Sequence, residues 1–147
     1  MSVNKEDVRY LDEDFDCKDF EIKNGDLLFT RYNGNPELVG VCGKVKGLQR
    51  KTVYPDKLMR ARLVDNGFVS SDYLELSLNC GVSKGFIRVS TKTTAGQSGI
   101  AGSDVKKCPV ILPCYAEQVK IAEIVDEKLT AIRYLEKNIG FQLLKAE

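Results

Sequence analysis

Two groups of residues in this chain have the types that chemistry requires. Pro55-Asp56, followed much later by Asp104-Val105-Lys106, spells the letters of a metal-dependent nuclease, whose carboxylates must converge on Mg²⁺. The letters are common and the gap between them is long, so the nuclease stands only as a runner-up. Cys108 and Cys114 form a C-x5-C pair. Structural zinc sites space their ligands more tightly and need two more of them, while Cys17, Cys42 and Cys80 lie far apart. On a strand, residues 108 and 114 would share a face roughly 20 Å apart. The sequence therefore predicts no metal site and favours the cysteines as small buried hydrophobes.

Histidine is absent. That excludes Ser-His-Asp and Cys-His nucleophilic sites and histidine-dependent zinc sites. "NPEL" (35–38) shares two letters with the Asn-Pro-Pro-Tyr loop of amino-methyltransferases, but lacks the second proline and the aromatic that stacks on a flipped base. No Gly-rich strand-to-helix loop for a nucleotide cofactor is present. The odd count of five cysteines, none in CxxC, and the acidic start without an apolar h-region predict reduced thiols in a cytoplasmic protein. The longest apolar runs are too short for a membrane span.

What remains is polar binding chemistry. The net charge is +1, unevenly spread. Residues 1–30 carry nine acids against four bases, whereas residues 31–112 carry thirteen Lys or Arg against six acids. A basic middle points to a polyanionic partner. The candidates lie on three loops: Arg31, Tyr32 and Asn33; Lys44, Lys46, Arg50 and Lys51; and Lys84, Arg88, Lys92, Thr93, Thr94 and Gln97. Lys and Arg neutralise phosphates, and Arg, Asn and Gln can pair bidentately with base edges.

The elements that must position these residues are short. "KNGD" (23–26) predicts a turn before a buried strand at 27–31, with a second turn at 32–35 suited to positive φ at Asn33-Gly34. A second strand follows over 38–45, where Gly40 and Gly43 mark a bulge or close approach, then a basic loop over 46–51. Residues 57–64 alternate, with Met59, Ala61 and Leu63 on one face and Arg60 and Arg62 on the other. Residues 70–81 predict a helix with Asp72 and Glu75 at capping-box spacing and Gly81 as its stop. A strand is expected at "FIRV" (86–89), a long loop over 90–103, one helical turn capped by Ser103, and a strand at "PVIL" (109–112).

From about Ala116 the pattern is one long helix. Val125, Ile132 and Ile139 recur every seven residues, and Ile121 and Leu135 fill d-type positions that also include Lys128 and Gln142. Such a helix reaches about 45 Å, long for packing on a small sheet alone. Ile121, Val125, Ile132, Leu135 and Ile139 are therefore expected to face a partner helix. The predicted fold class is α+β: a small twisted β-sheet domain with short helices over 1–114, followed by a long C-terminal helix over 115–147.

In order along the chain, "IKNGDLLFTRYNGNPELVG", "YLELSLN" and "TTAGQSGIAGSDVKKCPVILPCYAEQVKIAEIVDEKLTAI" resemble the specificity subunit of type I restriction–modification systems. In that family a Gly-Asp-Leu/Ile-Leu core precedes Thr-Arg and a glycine, and a proline-bracketed apolar segment precedes x-Glu-Gln-x-x-Ile at the start of a long helix. Gln118 and Ile121 fall on that pattern, and Cys108 and Cys114 fall on variable positions. The resemblance implies the later part of one target-recognition domain, lacking its N-terminal part, and the start of its conserved spacer helix. It implies non-catalytic recognition of one half of a split target in double-stranded DNA. The family's recognition loops vary, so the readers do not carry over from it; the loops' own side chains make Arg31, Asn33, Arg50, Lys92, Thr93 and Gln97 the favoured base readers.

The implied partners are the modification and restriction subunits, which would hold S-adenosylmethionine, ATP and Mg²⁺, with no cofactor in this chain. A second recognition half is expected in cis or as a homodimer. The alternatives are an assembly or dimerisation subunit without DNA binding and the Mg²⁺-dependent nuclease.

Overall fold

The computed structural model describes residues 17–64 and 67–144; the acidic lead-in with Tyr10 and Phe15 lies outside them. The described strands are β1 (Glu21–Ile22), β2 (Leu27–Thr30), β3 (Tyr32–Asn33), β4 (Cys42–Lys44), β5 (Thr52–Val53), β6 (Leu58–Ala61), β7 (Lys92–Thr94) and β8 (Gln97–Gly99). The helices are α1 (Ser71–Leu78), α2 (Gly81–Ser90), α3 (Gly102–Val105) and α4 (Tyr115–Leu144). The strands form three antiparallel sheets, ordered β1-β5, β4-β2-β6 and β3-β8-β7. The architecture is α+β with a long terminal helix, as the sequence predicts.

Strand β2 is central because both of its faces are covered. Leu27 and Phe29 join Cys42 and Leu78, with Met59, Ala61, Leu74, Val105 and Cys108 packed against them. Leu28 points the other way, to Ile22 and Val45. The strand period of two thus splits an unbroken apolar run between two cores. The same parity on β6 sends Met59 and Ala61 to the first core and Leu58 to the second.

Beside Leu58, Arg60 lies on the Tyr54 ring and donates to the Glu21 carbonyl. Arg62 donates from Nε and Nη2 to both oxygens of Asp26, at 2.7 Å each. Asp26 is buried in the 23–26 turn and also accepts the Lys23 amide at 2.7 Å.

The outer edge of β4 is closed by α1. The Asn79 amide accepts from the Cys42 N–H at 2.9 Å and donates to the Cys42 carbonyl at 2.7 Å, and Glu75 accepts the Lys44 N–H at 3.0 Å. An exposed strand edge is thereby paired with side chains instead of another strand. Gly40, at φ +72°, lies against Ile87, where a side chain would collide with the Ile87 Cγ2. This is the close approach expected of that glycine.

Several local expectations are corrected. The helix at 71–78 is capped by Ser70, whose Oγ accepts the Tyr73 N–H at 3.4 Å, while Asp72 pairs with lysines and Glu75 with β4. Gly81 opens α2 rather than only ending α1, and "FIRV" is helical. Four apolar-rich residues carry no decisive period, and here Ser83 and Ile87, four apart, form the buried face.

The expected loop over 90–103 contains a hairpin, β7 and β8 joined by Ala95-Gly96 at φ +50° and +77°. Both values are positive, as a two-residue type I′ turn requires, and alanine gives no hint of it. Residues 32–33 are strand, and neither Asn33 nor Gly34 takes positive φ. Ser103 does not cap α3, which begins after Ala101. "PVIL" forms no strand. Its carbonyls are held by side chains instead, Pro109 by Ser83 Oγ at 2.6 Å and Ile111 by Tyr73 Oη at 2.7 Å. The expectation of a buried Cys114 is also corrected: it is exposed, whereas Cys108 packs into the core.

Candidate nucleic-acid interface

Pairing register decides which of the candidate residues meet. In the β3-β8-β7 sheet Tyr32, Gly99 and Lys92 lie abreast, and Thr94 lies opposite Gln97. By parity these residues share one face. Together with Arg31, Ile100 and Ala101 they line an open concavity of about 340 Å³ that includes no acidic residue. Asn33, Ser98 and Thr93 form the next row, on the opposite face. There Ser98 is buried, and its hydroxyl lies 2.7 Å from that of Thr93. Asn33 Oδ1 accepts the Asn35 N–H at 2.9 Å, shaping the turn after β3. The sheet therefore gathers Arg31, Tyr32, Lys92, Thr94 and Gln97 and turns Asn33 and Thr93 away from them.

Arg31 joins two sheets. Its N–H donates to the Lys57 carbonyl at 2.8 Å, and its carbonyl accepts from the Ile100 N–H at 3.1 Å. Its guanidinium lies 4.9 Å from the centre of the Tyr32 ring. Tyr32 is fixed in turn by Gly99, where a Cβ would come 2.5 Å from the ring.

The other candidate cations are placed differently. Lys44 and Lys46 both bond Asp72, at 2.6 and 3.0 Å. Burial alone would raise the Asp72 carboxyl, but the two lysines outweigh it and hold the group below the usual carboxylate range, and Asp72 raises Lys46 in return. Arg88 pairs with Glu37 at 3.2 Å beside a second cleft that Lys84 also lines. Arg50 and Lys51 stand exposed on the segment between β4 and β5, outside both concavities.

The sequence pattern marks Gln118 but not its task. Its side chain is fully buried at the start of α4. Oε1 accepts the Ser70 N–H at 2.9 Å, and Nε2 donates to the carbonyls of Phe68 and Pro113, each at 2.9 Å. With Ala122 buried and Val125 half-buried, α4 packs on α1 through its first turns. From 126 to 139 every side chain is exposed, so Ile132, Leu135 and Ile139 form an uncovered apolar stripe, with Ile121 exposed at its base.

Among the described residues no group of three or more His, Cys, Asp or Glu could hold a metal ion, and no helix is long and apolar enough to cross a membrane. Asp56 and Asp104 thus belong to no such cluster.

No family model matches the sequence. Over 145 residues, 97% of its length, the chain is 37% identical to the specificity subunit of the type I restriction enzyme EcoKI from Escherichia coli strain K12, of which the match covers 31%. It is 30% identical over 109 residues to the EcoEI specificity subunit of Escherichia coli, covering 74% of this chain and 18% of that protein. It is 28% identical over 126 residues to the StySPI specificity subunit of Salmonella potsdam, covering 86% and 27%. The chain thus spans about a third or less of the length of these curated relatives.

Proposed function

The chain belongs to the family of type I restriction enzyme specificity subunits, and from that premise we propose that it is a non-catalytic module that recognises double-stranded DNA. In this reading residues 1–114 form the recognition domain and residues 115–147 the helix that holds it at a set distance. It reads one half of a split target, beside a second recognition half in cis or in a second copy. Methyl transfer and cleavage, with S-adenosylmethionine, ATP and Mg²⁺, belong to the modification and restriction subunits it addresses, in the cytoplasm.

The observation that carries this reading is the acid-free face of the β3-β8-β7 sheet, where Arg31, Tyr32, Lys92, Thr94 and Gln97 converge. A cation and two neutral hydrogen-bonding side chains beside a stacked arginine combine phosphate attraction with groups able to read base edges. Fluorescence anisotropy with the full chain and duplex DNA tests it. Binding that weakens steeply with added salt is expected, and Lys92→Ala should lower it. Absence of binding at low salt counts against it.

A second reading, an assembly subunit acting through α4 alone, is favoured by the uncovered stripe of Ile132, Leu135 and Ile139. DNA binding abolished by substitutions on the sheet face, with unchanged mass in light scattering, would reject it.

A further inference from the structure

Arginine is used in two ways in this domain. Arg60, Arg62 and Arg88 are spent on the protein itself, bonded to the Glu21 carbonyl, to Asp26 and to Glu37. Arg31 is different. Its backbone is clamped on both sides, by Lys57 and Ile100, at the point where β2 hands over to β3. Its Nε is buried without a hydrogen-bond partner, and no side-chain hydrogen bond or ion pair within the described residues neutralises the guanidinium. Its position is fixed by the stack on Tyr32, and Tyr32 is fixed by the missing side chain of Gly99. An arginine held this firmly has already lost most of the rotamer freedom that binding would otherwise cost.

The surroundings say what the ligand is. The β7-β8 hairpin, which β3 extends into a three-stranded sheet, presents Thr94 and Gln97 beside its two-residue tip, where a hydroxyl and an amide can meet base edges. Lys92, exposed on the same face, is a flexible point charge suited to phosphate.

We infer that Arg31 is a base-reading residue of this surface, its guanidinium preset by Tyr32 to take the O6 and N7 acceptors of a guanine, while Lys92 positions the strand through phosphate. The inference rests on the DNA-binding reading and assigns it a base and a reader.

The test uses the full chain and a randomised duplex library, followed by anisotropy on an enriched and a scrambled duplex over a salt series. The wild type should enrich guanine at one position at least. Arg31→Lys, which keeps the charge and loses the fork, should keep its affinity for the scrambled duplex within about threefold and lose roughly tenfold or more of its preference for guanine. Lys92→Ala should weaken both duplexes alike and reduce the salt slope by about one. Tyr32→Ala, which removes the stacking ring, should follow Arg31→Lys. Circular dichroism establishes that each variant is folded.

A guanine preference intact in Arg31→Lys, or an Arg31→Ala loss equal on both duplexes, makes Arg31 a phosphate contact and overturns the inference while DNA binding stands. So does wild-type binding without guanine enrichment. A wild type that binds no duplex at low salt overturns the functional reading and this inference with it.

Discussion

Gln118 Oε1 accepts the Ser70 N–H at 2.9 Å, tying the first turn of α4 to the residue that caps α1. The same amide donates to the carbonyls of Phe68 and Pro113, so one side chain closes three backbone groups from two segments, the run before α1 and the run before α4. Gln118→Leu preserves much of the volume and leaves all three groups unpaired. A loss of about 2–4 kcal/mol is expected, read as a lower urea midpoint. Gln118→Glu should cost a comparable amount, because a carboxylate cannot donate to the two carbonyls. A midpoint unchanged in both variants would show that the amide does not hold the joint.

The Asp26–Arg62 pair sets a pH dependence. Burial alone would raise the Asp26 carboxyl, but the Arg62 guanidinium and the Lys23 amide outweigh it, with help from Arg60, and the group lies below its usual 3.8. A depressed carboxyl stabilises the fold above its unfolded value, and that contribution is lost as pH falls through the lower folded value. Asp26→Asn should cost about 1–3 kcal/mol at pH 7 and flatten the decline of stability below about pH 4. Urea titrations from pH 7 to pH 2.5 measure both.

The cysteines should separate by reactivity. Burial, with the nearby Glu75 charge, pushes the Cys42 thiol up to about 12. At pH 8 its thiolate fraction is on the order of one in ten thousand. Cys80 and Cys114 are exposed. Brief treatment with iodoacetamide at pH 8 should therefore modify Cys80 and Cys114 and spare Cys42 until denaturant is added, as peptide mass spectrometry would show.

Gly40→Ala meets two obstacles, a positive φ and the Ile87 side chain. A destabilisation of about 1–3 kcal/mol is expected. Ile87→Ala removes the overlap at the cost of a cavity, so the double variant should lose less than the two single losses combined. Strict additivity would place the whole cost in the backbone.

The stripe on α4 is exposed and is covered by no other described residue. Ile132→Glu and Leu135→Glu should leave the stability of the monomer, read from urea unfolding, within about 0.5 kcal/mol of wild type. Where a second copy covers the stripe, the same variants should reduce the mass seen by light scattering.

Parts of this architecture were legible because they repeat. The alternation of residues 57–64 marks β6 and its two faces over 58–61, with Leu63 left beyond the strand's end, and the apolar period after Ala116 marks α4. Four residues at "FIRV" are too few to carry a period, and the helix there depends on tertiary packing of Ile87 against Val39 and Ile100. The hairpin escaped because Ala95 adopts a left-handed conformation that alanine seldom takes. For the candidate interface, the sequence names the loops without their faces. Only the register of β3, β8 and β7 separates Tyr32, Lys92 and Gln97 from Asn33 and Thr93. Lys44, Lys46 and Arg88 read as available cations until Asp72 and Glu37 are placed beside them.

The anchoring of α4 at one end has a mechanical consequence. From Val125 to Ile139 the helix is a cantilever about 20 Å long, clamped at its root by Gln118 and carrying no lateral support from the other described residues. A tilt of about 10° at the root moves the far end by about 3.5 Å, close to the rise of one base pair. Any ruler built on this helix has a tolerance set by the stiffness of its root, the buried Gln118 amide and the packing of Ala122 and Val125 on α1.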